Sequence, residues 1–288
     1  MKIITHPGQS HRDEFLACCL LIAEHGNIHI ARRDPTEDEL TCDQTYVIDV
    51  GGQYSQDLLN FDHHHFPRES PPNCALSMVM RHLGIYSSST AIFPWLTPTE
   101  ILDCKGPIAL ANWAGTDRDS LMGLMSPVES QMLQVFSRYE SIDPSDCIHI
   151  MMGYIGTGIL TYLNAVGTRL ELLEQSLSFR VGELLCIDTR HIVSGKDDPA
   201  LGLEIFCKTR LTDEPAVTVT SDDRGNGFTL FRRNDNPKID FSRIKDEPDV
   251  VFAHTNGFIA KVKPGGNAAI LIANAMDHAP SRVIGNVS

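Results

Sequence analysis

The sequence predicts an α/β fold, with an N-terminal domain built on a parallel sheet and a smaller α/β domain behind it. Three observations predict it. Short strand-like and helix-like segments alternate through about the first eighty residues. The polar residues at the ends of successive strands are of one kind, His and Asp. After residue 183 the texture changes to short β-rich runs.

Residues 2–5 (KIIT) read as a strand. Residues 14–26 (EFLACCLLIAEHG) are apolar nearly all round and end at Gly26, which predicts a buried helix with a glycine stop. Residues 28–33 (IHIARR) and 45–52 (TYVIDVGG) read as strands, the latter running into a glycine turn, and residues 57–62 (DLLNFD) as a further strand. Residues 74–84 (CALSMVMRHLG) read as a helix closed by Gly84. The stretch 99–140 has a helical pattern, broken at GTDRDS (115–120), where Asp119 suits a helix N-terminus. Residues 155–179 read as a long connector helix. Beyond it ELLCIDT, LEIFCKT, AVTVTSD and GFTLFRR look strand-like, and DDRGNG (222–227) signals a hairpin turn. PGGNAAILIANAM (264–276) reads as a glycine-led helix. The implied division is 1–150 for the first domain, 151–180 for the connector and 181–288 for the second domain.

The bulk numbers narrow the function. At 288 residues and 42% hydrophobic, the chain can bury a sizeable core. The 24 basic and 37 acidic residues leave a formal charge of −13, which argues against a broad grip on duplex nucleic acid through many phosphate contacts. It leaves room for a short nucleic-acid substrate held by metals and a few arginines. The eight cysteines include no C-x-x-C pair, and Cys18 and Cys19 sit together in an apolar run. They suit buried, inert thiols in a reducing compartment, and the spacings disfavour a zinc finger. The opening MKIITHPGQS lacks the apolar segment of a signal peptide, and no apolar run reaches the length of a membrane span. A cytoplasmic protein without membrane contact is therefore expected.

Seven of the twelve histidines lie within residues 1–65. His6, His11 and Asp13 share the loop after the first strand, Asp49 ends the third segment, and Asp62 precedes His63, His64 and His65. In open parallel sheets ligands gather at the carboxyl ends of strands. Imidazole and carboxylate without thiolate suit Mn²⁺, Zn²⁺ or Fe²⁺ better than Ca²⁺ or a structural zinc. Asp49, with Gly51 and Gly52 close behind it, is the natural bridge between two cations. The isolated His82, His149 and His191 read as ordinary core or surface residues, and His25 and His29 as solvent-exposed.

THPGQSHRDE, VIDVGG and FDHHH, taken in order, resemble the DHH phosphoesterase superfamily. Within it they look most like the melanocyte-proliferating-gene family of metal-dependent exonucleases. The resemblance is strongest over residues 3–65 and reappears at VVFAHTNGFIA (250–260). It implies two divalent ions, Mn²⁺ foremost, with Zn²⁺, Fe²⁺, Co²⁺ or Mg²⁺ admitted. It implies His6, His11, Asp13, Asp49, His63 and Asp117 as metal ligands, His64 against the substrate phosphate, and Asp62 orienting the histidine pair. Most of the superfamily has Asp-x-Asp in the first motif, whereas this chain has His11-Arg12-Asp13, as the melanocyte-type branch does. Arg12 stands where a small residue is usual, pointing outward or toward phosphate. The second domain would hold the substrate through His254 and Gly257, with Arg232 or Arg233 on a phosphate, and the active site would lie in the cleft between the domains. The implied activity is a two-metal phosphodiesterase, an exonuclease on short single-stranded RNA or DNA. A hydrolase of pyrophosphate or nucleotides and a non-enzymatic metal-binding module are the alternatives. A homodimer is compatible with the sequence.

Overall fold

The computed structural model describes residues 1–192, 198–222 and 225–276. The chain divides into two compact units, Met1–Ala165 and Val166–Ser288. The elements of the first are β1 (Lys2–Thr5), α1 (Arg12–His25), β2 (His29–Arg32), α2 (Glu37–Leu40), β3 (Thr45–Ile48), β4 (Tyr54–Ser55) and β5 (Asn60–Phe61). They continue with α3 (Ala75–His82), α4 (Tyr86–Ile92), α5 (Leu96–Trp113), α6 (Arg118–Gly123), α7 (Pro127–Phe136) and β6 (Ser141–Ile142). Helix α8 (Cys147–Leu173) runs on into the second unit.

The first sheet has the order β4-β5-β3-β1-β2-β6. Its four inner strands are parallel, and the edge strands β4 and β6 run antiparallel, so the sheet is mixed rather than all-parallel. Strand β1 is central, with β2 on one side and β3 on the other. The chain therefore reverses its winding direction at β1, and the carboxyl ends of β1 and β3 frame a switch-point crevice. Helix α1 covers the sheet with Phe15, Ala17, Cys18, Cys19, Leu20 and Leu21, all buried. It starts two residues earlier than the apolar run because the Glu14 carboxylate accepts the His11 amide at 3.1 Å, capping the first turn. Gly26 stops it with a left-handed φ of 73°. The predicted strand over 57–62 shrinks to Asn60–Phe61.

A surface ion-pair cluster ties β1 to α2. Glu39 accepts from Arg33 at 2.7 and 2.8 Å and from Lys2 at 2.5 Å, and closes a capping box with Thr36. The hydrogen bond to Arg33, foremost, holds the Glu39 carboxyl well below the usual carboxylate range. Its stabilising contribution is complete above the unfolded pKa of about 4.3 and is lost as pH falls toward the depressed folded value. The stability difference between wild type and Glu39→Gln is thus expected to be constant above about pH 5 and to shrink steadily below about pH 4. A difference that grows on acidification, in urea titrations from pH 7 to 3, would contradict this.

Helix α8 departs from the sequence reading at both ends, since residues 177–179 belong to a strand and 147–154 to the helix. A continuous apolar run does not reveal by periodicity where helix gives way to strand. The structure also corrects the expectation on apolar length, because α8 is long and apolar enough, by length and composition, to cross a membrane. Its first half packs on α1. A Cβ at Gly156 would stand 1.9 Å from the Cys19 carbonyl oxygen, so the two helices approach with nothing between their backbones.

The second unit contains β7 (Leu177–Val181), β8 (Leu184–Asp188), α9 (Leu203–Arg210), β9 (Val217–Ser221), β10 (Phe228–Arg232), a 3₁₀ turn (Phe241–Ile244), β11 (Val250–Ala253), β12 (Ile259–Val262) and α10 (Ala268–Ala275). Its mixed sheet has the order β11-β12-β10-β9-β8-β7, and only β8 and β9 pair in parallel. LEIFCKT is helix α9, not a strand. Leu203, Phe206 and Cys207 bury one face at helical spacing. β9 and β10 pair antiparallel as DDRGNG predicts, although Asp223 and Arg224 of that turn lie outside the described residues. Asn267 caps α10 through its side chain, at 3.1 Å from the Ile270 amide.

Candidate metal centre

The side chains that end the inner strands of the first sheet meet. Thr5 ends β1 and hands the chain to His6, Ile48 ends β3 and hands it to Asp49, and Phe61 ends β5 and hands it to Asp62 and His63. Asp49 adopts a left-handed backbone with φ of 59°, sparsely populated for a residue with a side chain. Its amide donates to the Phe61 carbonyl at 3.0 Å. The residue is therefore held in the crevice although its conformation is strained.

Six polar atoms buried in this crevice make no hydrogen bond: His6 Nε2, Asp13 Oδ1, both Asp49 oxygens, His63 Nε2 and Asp103 Oδ2. They lie at ion-pair distance from one another without hydrogen-bond geometry. His6 Nε2 lies 3.6 Å from Asp49 Oδ2 and 3.1 Å from Glu14 Oε2. His63 Nε2 lies 3.2 Å from Asp49 Oδ1 and 2.9 Å from Asp103 Oδ2. Leaving even one buried carboxylate oxygen unsatisfied costs about 1–3 kcal/mol or more. An ordinary polar core would not leave six in one place, whereas cation ligands would have this arrangement.

The candidate ligand atoms form four overlapping groups, with members of each group within 4.8 Å of one another: His6, His11 and Asp49; Asp49, His63 and His64; His63, Asp103 and Cys104; and His11, Asp13 and Asp103. Asp49 belongs to the first two. The neighbouring hydrogen bonds fix how the rings face. His6 Nδ1 meets the Pro7 carbonyl at 2.8 Å, a contact that requires Nδ1–H and leaves the Nε2 lone pair for the crevice. Asp13 uses its other oxygen to accept from the Ala75 amide at 3.2 Å. Asp62 accepts from the Gly52 amide at 2.6 Å and from His64 through both its amide (3.1 Å) and Nδ1 (2.7 Å). Gly52 reaches Asp62 with a left-handed φ of 68°, which explains the glycine there.

The crowded acids titrate accordingly. Burial, then repulsion from Asp49 and Asp103, pushes Asp13 well up, and burial raises Asp49 despite its contact with His63. Burial alone would lower His6 and His63. The Glu14 carboxylate outweighs it and raises His6 to about 9, while Asp103 and Asp49 raise His63 to about 12. Burial also opposes ionisation of Asp62, but the His64 and Gly52 donors hold its pKa low. The cluster thus assembles negative charge that protons on the imidazoles offset in part.

Of the residues anticipated from sequence, His6, His11, Asp13, Asp49, Asp62, His63 and His64 stand together. Asp117 does not. It is an exposed N-cap, accepting from the Ser120 amide at 2.8 Å and the Ser120 hydroxyl at 2.6 Å, and belongs to none of the four groups. Asp103 of α5, not anticipated from sequence, belongs to two of the groups. Arg12 does not point freely outward. It makes a bidentate pair with Glu129 at 2.5 and 2.9 Å and so ties α1 to α7. His149 is a satisfied core histidine bonded to the Ile28 carbonyl at 2.8 Å. His25 is exposed, and His29 half-buried.

In the second unit, His254 and Gly257 form the turn between β11 and β12. The His254 ring lies tilted against Phe258 with centroids 4.2 Å apart, and a Cβ at Gly257 would collide with Asp240 Oδ1 at 1.9 Å. Both arginines have internal partners for their terminal nitrogens. Arg233 is 4% exposed and pairs with Glu204 and Glu214, while Arg232 donates to the Ile239 carbonyl and to Asp235.

Residues 2–77 match the family model MYG1_exonuc. Its description is "Uncharacterised protein family (UPF0160)", and the matched stretch carries His6 to His64 but neither Asp103 nor Asp117. MYG1 exonuclease from Mus musculus is 43% identical over 65 residues, which are 22% of this chain and 17% of that protein. MYG1 protein from Chlamydia trachomatis is 44% identical over 63 residues, 21% of each chain. MYG1 protein from Chlamydia pneumoniae is 34% identical over 107 residues, 36% of this chain and 31% of its own. The match thus spans a fifth or less of the mouse relative's length and under a third of the longest chlamydial match. These matches support the MYG1 family for the segment that they cover. A solved structure titled pGpG-specific phosphodiesterase PggH, from Vibrio cholrae, aligns over 91% of this chain and 92% of its own at 12% identity, with a TM-score of 0.28 that carries no argument.

Proposed function

We propose that this chain is a divalent-metal-dependent phosphodiesterase of the DHH type, an exonuclease acting on short single-stranded RNA or DNA. The observation that carries the reading is the set of six buried nitrogen and oxygen atoms that make no hydrogen bond, contributed by five residues around one crevice. His6, His11, Asp13, Asp49, His63 and Asp103 would hold the cations, with Asp49 shared between them. The donor set of imidazole and carboxylate favours Mn²⁺, and admits Zn²⁺, Fe²⁺, Co²⁺ or Mg²⁺. Divalent cations bound there would supply Lewis acidity toward a phosphoryl oxygen and acidify a water. The names of the mammalian relatives support the exonuclease reading.

The chain's own groups do the rest. Asp62 holds Nδ1 of His64, and the His64 side chain is 60% exposed at the rim. With Nδ1 held by Asp62, an imidazolium at this position would donate Nε2–H to a phosphoryl oxygen where charge builds. Asp49, Asp13 and Asp103 repel a polyanion unless cations screen them. That, with the net charge of −13, favours a short substrate over a duplex.

Chelator should abolish hydrolysis of a short RNA, and Mn²⁺ should restore it. Full activity in chelator would end the proposal. A panel of pyrophosphate, mononucleotides, dinucleotides and short RNA, run with one metal, separates an exonuclease from a small-phosphate hydrolase.

A further inference from the structure

The ring of His63 is gripped from both sides by consecutive residues of α5. Its Nε2 lies 2.9 Å from Asp103 Oδ2, and its Nδ1 lies 3.8 Å from the Cys104 sulfur. Successive helical residues point about 100° apart, so Asp103 and Cys104 can straddle one planar imidazole. They occupy the last turn before α5 breaks at Gly106 and Pro107, where Gly106 takes a φ of 82°. The Cys104 sulfur has a second neighbour, since the Asn73 amide donates to it at 3.3 Å.

We propose that Cys104 is a positioning residue, whose sulfur fixes the tautomer and orientation of His63 for cation binding. The inference rests on the metal reading above. A backbone N–H can only donate, so toward Asn73 the sulfur is an acceptor. A ring that turns its Nε2 lone pair to a cation must carry its proton on Nδ1, and the nearest acceptor for that proton is the same sulfur. Metal-bound histidines usually give this second hydrogen bond to a carboxylate, a backbone carbonyl or water. Here a half-buried thiol does it.

The test uses Zn²⁺ alone as the probe, on the metal-free full chain and on Cys104→Ala and Cys104→Ser. Wild type should bind Zn²⁺ with His63 in a single Nδ1–H tautomer, read from two-bond ¹⁵N–¹H spectra. Cys104→Ala should weaken Zn²⁺ binding about 10-fold, the low end for losing such a partner, and mix the tautomers. Cys104→Ser keeps an acceptor and should recover most of both. A purely structural cysteine would lower the melting temperature of the metal-free protein and leave Zn²⁺ affinity and the His63 tautomer unchanged, and that result overturns the inference. Equal weakening in the Ser and Ala variants also overturns it. If wild type itself fails to bind Zn²⁺ or Mn²⁺, the metal reading has failed, which this design distinguishes from failure at Cys104.

Discussion

Asp49→Asn should lose phosphodiester hydrolysis and gain stability in the metal-free state. Asp49 is 2% exposed, neither of its oxygens accepts a hydrogen bond, and it is shared by two of the ligand groups. Removing its charge should cut activity by about 10²–10³-fold or more, the scale for deleting one preorganised group at developing charge. The stability change has the opposite sign. Burial, with Asp103 and Glu14 nearby, raises the Asp49 pKa, so the ionised form is disfavoured in the folded protein. An amide escapes that penalty, and Asn tolerates the left-handed backbone at φ 59° better than most residues. The metal-free variant should therefore melt at or above the wild-type temperature. A binding module kept only for stability predicts a lower melting temperature and no turnover in either protein. The combination of lost activity and retained or raised stability is the signature of a functional site.

Arg32→Ala should be the most destabilising of the single changes considered. Arg32 is 3% exposed, donates to the Gly8 and Phe136 carbonyls at 3.1 and 3.3 Å, stacks over Phe136 at 4.6 Å and lies 3.4 Å from Glu14. Glu14 is fully buried and accepts from Thr5 at 2.7 Å. Without Arg32, Glu14 stays buried beside Asp13 with its nearest permanent positive charge removed. Stripping one partner from a buried pair costs about 3–5 kcal/mol, or roughly 6–20 °C in melting temperature for a domain of this size. Adding Glu14→Gln should recover part of the loss. A loss below about 1 kcal/mol in denaturant titration would show that the pair is far less coupled than its geometry implies.

The inner strands and the residues at their ends were legible because strand ends in a switched α/β sheet must converge. His6, Asp49 and His63 follow directly from that rule. Asp103 was not legible. It lies in LTPTEILDCKG, an ordinary helical stretch, and only the fold brings it under the crevice. The one available signal was the Gly106-Pro107 break, which ends the helix just beyond a carboxylate. Asp117 was misleading for a local reason, since an Asp followed three residues later by Ser120 makes a helix N-cap whose polar neighbours look like a site. The second unit hid more. Leu203, Phe206 and Cys207 have helical spacing, but the β-prone text around them masks it. Arg232 and Arg233 looked available for phosphate, and their pairing with Glu204, Glu214 and Asp235 appears only once the chain is folded.

The most direct measurement is the number of divalent cations bound per chain, by equilibrium dialysis against Mn²⁺ with elemental analysis, for wild type and Asp49→Asn side by side. Two per chain in the wild type, with at least one lost from the folded variant, is the expected result. A wild-type chain that retains no Mn²⁺, or a variant that keeps the full complement, would contradict the shared role of Asp49 on which the account stands.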